Sequence, residues 1–290
     1  MVRPAARREA AGHLEEKHHI SERRACRVLD LNRSTRRYAA IPKDDGEVRM
    51  QLKKLAAANP RYGCPRLYMI IRRNGVVVNH KKIHRIYREE GLQVRRKTRR
   101  KRLSGLRAPL VPAIRPNQRW SVDFVSDQLG DGRRFRVLTL VDDYTRQCLA
   151  AEAGISITGE AVTRVLDRVA ARAGGYPEAI TCDNGPEFAG RSVQEWGRVR
   201  GARINFIEPG KPMQNAYIES FNGKFRDECL NENWFLGLED ARSIISNYIK
   251  EYNSYRPHRA LGGATPDEFL RKEARLPSGS QARETACQVV

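Results

Sequence analysis

Apolar residues return every three or four positions in the stretch GKPMQNAYIESFNGKFRDEC, Gly210 to Cys229. There Ile218, Phe221, Phe225 and Cys229 mark the buried stripe of a helix entered through a turn. Pro212 suits its first turn, where a missing N–H costs little. On such a helix Asn215, Glu219, Asn222 and Arg226 stand one above another on the shoulder of the stripe. A carboxylate at the edge of a buried surface calls for a partner, and a cation is one candidate. Taken alone, the stretch reads as well as an amphipathic helix with one Glu at its margin.

The pattern elsewhere predicts two kinds of region. Before residue 119 it is helical. Ser21 caps SERRACRVLDL, and Asn32 separates it from the short basic RSTRRYAA, an arrangement consistent with a helix-turn-helix. EVRMQLKKLAAAN reads as a helix, PRYG as a turn, and CPRLYMIIRRNG as a second helix with Pro65 at its start. Asn79 then caps HKKIHRIYREE, which Gly91 stops. From Arg119 the period changes. Strands are expected at 119–126, 134–141 and 146–153, the first two joined through Gly130-Asp131-Gly132. A helix capped by Thr158 runs to Ala173, strands follow at 179–182 and 203–207, and further helices at 190–201, around Glu219, and from Leu238 to about Tyr252. Three antiparallel strands followed by alternating helices and strands form a three-layer α/β pattern.

Charge sharpens the division. The chain of 290 residues carries a formal charge of +20. Residues 1–118 hold 31 Lys/Arg against 10 Asp/Glu, and residues 119–290 hold 23 against 24, so the whole excess lies in the helical part. Such an excess points to a polyanion, nucleic acid ahead of a membrane surface. Lys81, Lys82, Arg85 and Arg88 surround Ile83, Ile86 and Tyr87 on one predicted helix and are the candidate DNA contacts there. The expected organisation is a helical segment 1–45, a helix-turn-helix-like DNA-binding domain 46–91, a basic, Pro-spaced linker 92–118, a catalytic core 119–270 and a polar tail 271–290. No apolar run is long enough to span a membrane, and the charged N-terminus lacks the apolar core of a secretory signal. Six scattered Cys without a C-x-x-C pair fit a reduced, cytoplasmic protein.

Chemistry enters through three carboxylates. Asp123 lies mid-strand in WSVDFV. Asp183 ends a strand before the Asn184-Gly185-Pro186 turn, and Glu219 rides the helix described above. Two strands and a helix thus supply the oxygen donors of a hard-cation site, where few protein carboxylates suffice because Mg²⁺ keeps several waters. Without a cation, three neighbouring carboxylates repel, and one tends to hold its proton. The phrases SVDFV, LVDDYTR, CDNGPEF, GKPMQNAYIESFNGKFRDECL and YNSYRPHRAL, the 35 residues between Asp183 and Glu219, and the basic Arg226 seven positions after Glu219 resemble the transposases of the retroviral-integrase superfamily. Within that superfamily, the chain is similar to the second-reading-frame proteins of a large bacterial insertion-sequence family, from about Ser21 to Phe269. The resemblance implies a ribonuclease-H-like core, a five-stranded mixed sheet flanked by helices, behind the all-α region. It makes Asp123, Asp183 and Glu219 catalytic ligands of two Mg²⁺ ions, with Mn²⁺ as a substitute, for cleavage and strand transfer at the ends of the element. It implies double-stranded DNA as partner, a homo-oligomer on DNA, an upstream-frame partner or fusion, and a place beside the bacterial nucleoid. Lys224 and Arg226 would contact backbone near the scissile phosphate, and Asn215 and Asn222 would orient water, ligands or DNA.

Other residues invite the same reading and have plainer ones. Asp142 and Asp143 fall at a strand turn, where Asp commonly shapes the backbone. Asp127 and Glu187 are expected in solvent, Trp120 and Trp234 in packing. His80 and His84 have metal spacing but no Cys or acid to complete a zinc site. His258, among Tyr252, Tyr255, Arg256 and Arg259, suits either DNA contact or packing of the terminal helix on the sheet. Two rival functions, a non-catalytic DNA-binding regulator and a ribonuclease of RNA–DNA hybrids, account less well for the basic helices and the Asp183–Glu219 spacing together.

Overall fold

In the computed structural model, residues 4–39, 44–94, 112–208 and 212–275 are described. Most of the expected linker and tail (95–111 and 276–290) lies outside them. The chain forms two compact units, residues 1–51 and 52–290. In the first, helices α1 (Pro4–His18), α2 (Glu22–Val28) and α3 (Arg33–Arg37) enclose little more than Ala11, Ala25 and Cys26. Asn32 caps α3 through the Ser34 N–H, whereas Ser21 precedes α2 without a side-chain cap. Ion pairs Arg36–Glu15 and Arg37–Glu22 tie these helices together.

Three helices follow: α4 (Gly46–Ala58), α5 (Cys64–Arg73) and α6 (His80–Glu89). Their apolar faces meet through Leu52, Leu67, Ile70, Ile71, Ile83, Ile86 and Tyr87, all buried. Asn79 accepts the Lys81 N–H and starts α6; Gly91, at φ 65°, ends the turn after it in the left-handed region that suits glycine.

The core is one five-stranded sheet. β1 (Arg119–Gln128), β2 (Arg134–Asp142) and β3 (Cys148–Gly154) are antiparallel, while β4 (Ala179–Cys182) and β5 (Arg203–Phe206) run parallel to β1, giving the order β3-β2-β1-β4-β5. Alternation along the strands builds two cores. Trp120, Val122, Leu138, Leu140, Ile180 and Cys182 face α7 (Gly159–Ala173) and α9 (Arg191–Arg200), a short α8 (Pro186–Ala189) preceding α9. Val125, Phe135, Val137 and Val141 face α10 (Ala216–Glu228) and α11 (Leu238–Ser254). A 3₁₀ turn, Pro212–Asn215, leads into α10, and Ile218, Phe221, Phe225 and Cys229 form the buried stripe that their spacing predicts. Thr158 caps α7 as expected. A last helix, α12 (Pro266–Arg275), was not anticipated in the sequence. Trp234 corrects an expectation: it is 73 % exposed, while its neighbour Phe235 fills the core.

Candidate active site and nucleic-acid surface

Parallel pairing brings the first two carboxylates together. β1 and β4 pair Arg119 with Ala179 and Ser121 with Thr181. That pairing runs toward Asp123 on β1 and Asp183 just past the end of β4, close enough for the Asp183 charge to act on Asp123. Asp123 points to the face covered by α10, where it shares the parity of Val125 and accepts from Asn222. α10 crosses β1 and β2 on its apolar stripe, and the shoulder of that stripe carries Glu219. Burial pushes the Asp123 carboxyl up, and the charges of Asp183 and Glu219 push it further in the same direction. The three acids therefore share one field, although among the described residues no three His, Cys, Asp or Glu side chains close around a common point.

Each acid keeps spare acceptor capacity. Asp123 Oδ1 accepts the Phe124 N–H at 2.8 Å and Oδ2 accepts Asn222 Nδ2 at 2.8 Å. The Asn222 amide must turn its NH₂ to the carboxylate, which only accepts. Its carbonyl then faces the Thr139 hydroxyl, 3.0 Å away, and that hydroxyl also lies 3.1 Å from the Asp123 carbonyl oxygen. A clasp from β2 through α10 thus fixes Asp123 on β1. Asp183 Oδ1 accepts the Gly185 N–H at 3.0 Å. A Cβ at Gly185 would stand 3.0 Å from that oxygen, so the turn is tight enough to favour glycine. Glu219 is exposed and has no hydrogen bond or ion pair within the described chain.

Arg226, two turns beyond Glu219, forms no ion pair with it. It is exposed and donates to the Ser126 carbonyl oxygen at 3.1 Å. Asn215 is 3 % exposed and its Oδ1 has no partner; it precedes α10 without capping it. Lys224 lies on the other shoulder of α10, donating to Ser220 Oγ at 3.0 Å. On α6, Lys81, Arg85 and Arg88 line an open hollow of about 600 Å³ with His80 and His84. Arg85 also pairs with Glu89 at 2.8 Å, and Lys82 is half-buried beside them. His80 meets the edge of Tyr68, and among the described residues no third His, Cys, Asp or Glu joins the two histidines to form a zinc site.

The expected decoys resolve clearly. Asp142 and Asp143 are buried at the β2–β3 turn and bonded on every oxygen. Glu187 corrects an expectation: in place of solvent it is half-buried and pairs with Arg136, which holds its carboxyl below the usual range. Trp120 is fully buried and donates to Asn117 Oδ1 at 3.1 Å.

Two features had no signal in the sequence. One is Thr139, whose role depends on the strand opposite. The other is a buried knot at the far end of α10. Glu228 accepts two hydrogen bonds from Arg256, each 2.6 Å, and one of 3.0 Å from Arg66 on α5. Tyr62, in the α4–α5 turn, lies under the Arg66 guanidinium at 4.4 Å. Arg61 reaches Glu232 and Asp227, and Arg73 reaches Glu268. The helical hairpin is thereby fastened to the helix that carries Glu219.

A five-stranded mixed sheet of this order, packed between helices on both faces, is the ribonuclease-H-like core of the integrase class. Sequence comparison agrees: an integrase core domain matches residues 113–212 and 200–266, and an HTH-like domain matches residues 43–102. The chain is 47% identical over 260 residues to the uncharacterized 31.7 kDa protein of insertion element IS407 from Burkholderia multivorans, covering 89% of this chain and 94% of that one. It is 26% identical over 266 residues to the putative transposase InsK for insertion sequence element IS150 of Escherichia coli, covering 87% and 93%. A chain of the simian T-cell lymphotropic virus intasome shares the fold at a TM-score of 0.51 and 19% identity, over 80% of this chain and 78% of that one. The chain belongs to the insertion-element transposases that carry an integrase core behind an HTH-like domain. Among its described residues no helix is long and apolar enough to cross a membrane.

Proposed function

We propose that this transposase cleaves DNA at the ends of an insertion sequence and joins the freed strands to a target, using Asp123, Asp183 and Glu219. The observation that carries the reading is that α10, the helix of Glu219, meets β1 at Asp123, where Asn222 donates to the carboxylate at 2.8 Å and acceptor capacity is left over, with the charges of Asp183 and Glu219 adding to burial in raising it. Such a set fits a hard divalent cation, because its donors are all carboxylate oxygens and its repulsion needs a positive charge for relief. Glu219, exposed and unbonded, is the side chain able to close the set. Bound there, two magnesium ions, or manganese in their place, would supply activation of the attacking oxygen and stabilisation of the leaving one.

The chain's own residues do the rest. Asn222, clasped by Thr139, holds Asp123 in one orientation. Arg226 offers a guanidinium beside β1 for a phosphate near the scissile bond, and Asn215 and Asn222 orient water or DNA at the mouth of the site. Water opens the phosphodiester at the element end, and the released 3′-hydroxyl attacks a second phosphodiester. Residues 46–91 recognise the ends, with Lys81, Lys82, Arg85 and Arg88 along phosphates, and residues 119–270 perform the chemistry. The working form is a homo-oligomer on duplex DNA, with an upstream-frame partner or fusion, beside the nucleoid.

The test is cleavage of a duplex carrying the inverted repeats that flank the gene. Asp183→Asn and Glu219→Gln each remove several kcal/mol of transition-state stabilisation, about a thousandfold or more in rate, and leave DNA affinity intact. A variant that nicks at the wild-type rate in magnesium removes its residue from the site. Hydrolysis of RNA–DNA hybrids in place of end cleavage overturns the reading itself.

A further inference from the structure

α10 ends at Glu228, about 14 Å of helix beyond Glu219. The Glu228 side chain is 9 % exposed and is shared by two guanidiniums. Arg256, 3 % exposed, donates two bonds of 2.6 Å, and Arg66 from α5 donates one of 3.0 Å. The buried Tyr62 ring has its centre 4.4 Å from the Arg66 guanidinium and 5.9 Å from that of Arg256. Two outer ties flank this centre. Arg61 pairs with Glu232 at 2.5 Å and reaches Asp227 at 3.6 Å. Arg73 pairs with Glu268 and donates to the Tyr255 carbonyl oxygen at 3.5 Å.

Three arginines of the α4–α5 turn and α5 are thus matched by acids of the core. α6 is turned elsewhere: the residues lining its basic hollow are all its own. It is held to α5 by Ile83 and Ile86 against Leu67, Ile70 and Ile71. A continuous path of packed and directional contacts therefore runs from α6 through α5 and Glu228 to Glu219. A buried ion pair adds little net stability, and apolar side chains would hold the two parts as tightly. What the charged contact adds is direction. The Arg256 fork holds the Glu228 carboxylate in one orientation, and Arg66 must meet it there, whereas an apolar contact can slide.

We propose that Glu228, Arg66 and Arg61 are positioning residues that hold α6 in fixed register with Glu219, so that a DNA end read by α6 is cut at one phosphodiester. The proposal rests on the reading of Asp123, Asp183 and Glu219 as the cutting site and of α6 as the DNA-reading helix. The three residues act through the placement of α10 and not by touching the reacting phosphate.

The experiment uses the full chain and the same inverted-repeat duplex. Cut positions are mapped at single-nucleotide resolution, and hydroxyl-radical footprints are taken in an Asp183→Asn background, which should bind without cutting. Arg61→Glu sets a carboxylate against Glu232 and Asp227, and adding Glu232→Arg reverses the pair. Arg61→Glu and Arg66→Met should each spread the cuts over neighbouring phosphodiesters and slow cutting at the original one about 10- to 100-fold. Affinity should change by less than about threefold, because the cations of α6 remain. The Arg61→Glu footprint should keep the segment under α6 and blur the segment over the core. The reversed pair should restore both the footprint and the single cut, and it keeps the test open if Arg66→Met fails to fold. Cuts that stay at the wild-type position in Arg61→Glu overturn the proposal, whatever their rate. So does a spread that the reversed pair does not gather, or a loss of both footprint segments with a lower melting temperature, which marks the contact as one that only stabilises the fold. A protein whose footprint responds to Arg61→Glu and to the reversed pair, yet which cuts nothing, sinks the cutting site and leaves the register contact standing.

Discussion

Asp142 and Asp143 close the end of β2, and Asp123 pairs with the same strand a few residues earlier, opposite Thr139. The two groups of acids differ in what surrounds them. Asp142 accepts from the N–H groups of Asn117, Tyr144 and Thr145 and from the Thr145 hydroxyl, at 2.7–3.0 Å. Asp143 accepts from the Ser121 hydroxyl at 2.6 Å and pairs with Arg119. Burial pushes both carboxyls up, and these donors work against it. Asp123 and Asp183 accept few hydrogen bonds from the chain and Glu219 none, and Asp123 is burdened by its neighbours' charges as well as by burial. Acids that hold a turn together are surrounded by donors. The acids proposed to hold a cation are fixed in place and left with fewer donors.

Breaking the satisfied group should have the largest effect. Asp143→Ala removes the ion pair with Arg119, 14 % exposed in its side chain, and the hydrogen bond from Ser121. A cost of about 3–5 kcal/mol is expected for breaking a buried pair, read by denaturant unfolding. A loss below about 1 kcal/mol would erase the distinction between the two groups. Next is Arg226, which makes no ion pair with Glu219. Arg226→Ala should reduce strand joining about 10- to 100-fold, the worth of one charge-assisted hydrogen bond, with stability changed by less than about 0.5 kcal/mol. Arg226→Lys should keep part of the activity, since the charge survives and the planar fork does not. A drop in melting temperature that tracks lost joining would make Arg226 a structural residue.

The smallest effect has an unusual sign. Because the folded-state carboxyl of Asp123 is raised, its contribution favours folding at pH below the unfolded carboxylate value and is lost as pH rises through the folded one. Asp123→Asn should therefore melt a few degrees above wild type at neutral pH without metal, and the gain should vanish in acid. Added magnesium should stabilise wild type and leave the variant unmoved. Glu219→Gln, exposed and unbonded, should melt with wild type. If Asp123→Asn is the less stable protein at neutral pH without metal, Asp123 belongs with the structural acids.

Much of this was legible before any coordinates. Alternation marked β1, helical spacing marked the buried face of α10, Asn79 and Thr158 marked helix starts, and the resemblance of the motifs proposed Asp123, Asp183 and Glu219. These signals are local, because strand parity and helix periodicity fix which side chains share a face within one element. Trp234 was misread because hydrophobicity alone does not say which of two adjacent aromatics turns inward; the backbone sent Phe235 to the core. Only the tertiary structure brought Asp123 near Asp183, through the parallel pairing of β1 and β4. Only it brought Thr139 to Asn222, Arg66 of the hairpin to Glu228, and Arg146 to Tyr217. Such contacts depend on which elements become neighbours, and that is decided by packing of the whole sheet against its helices.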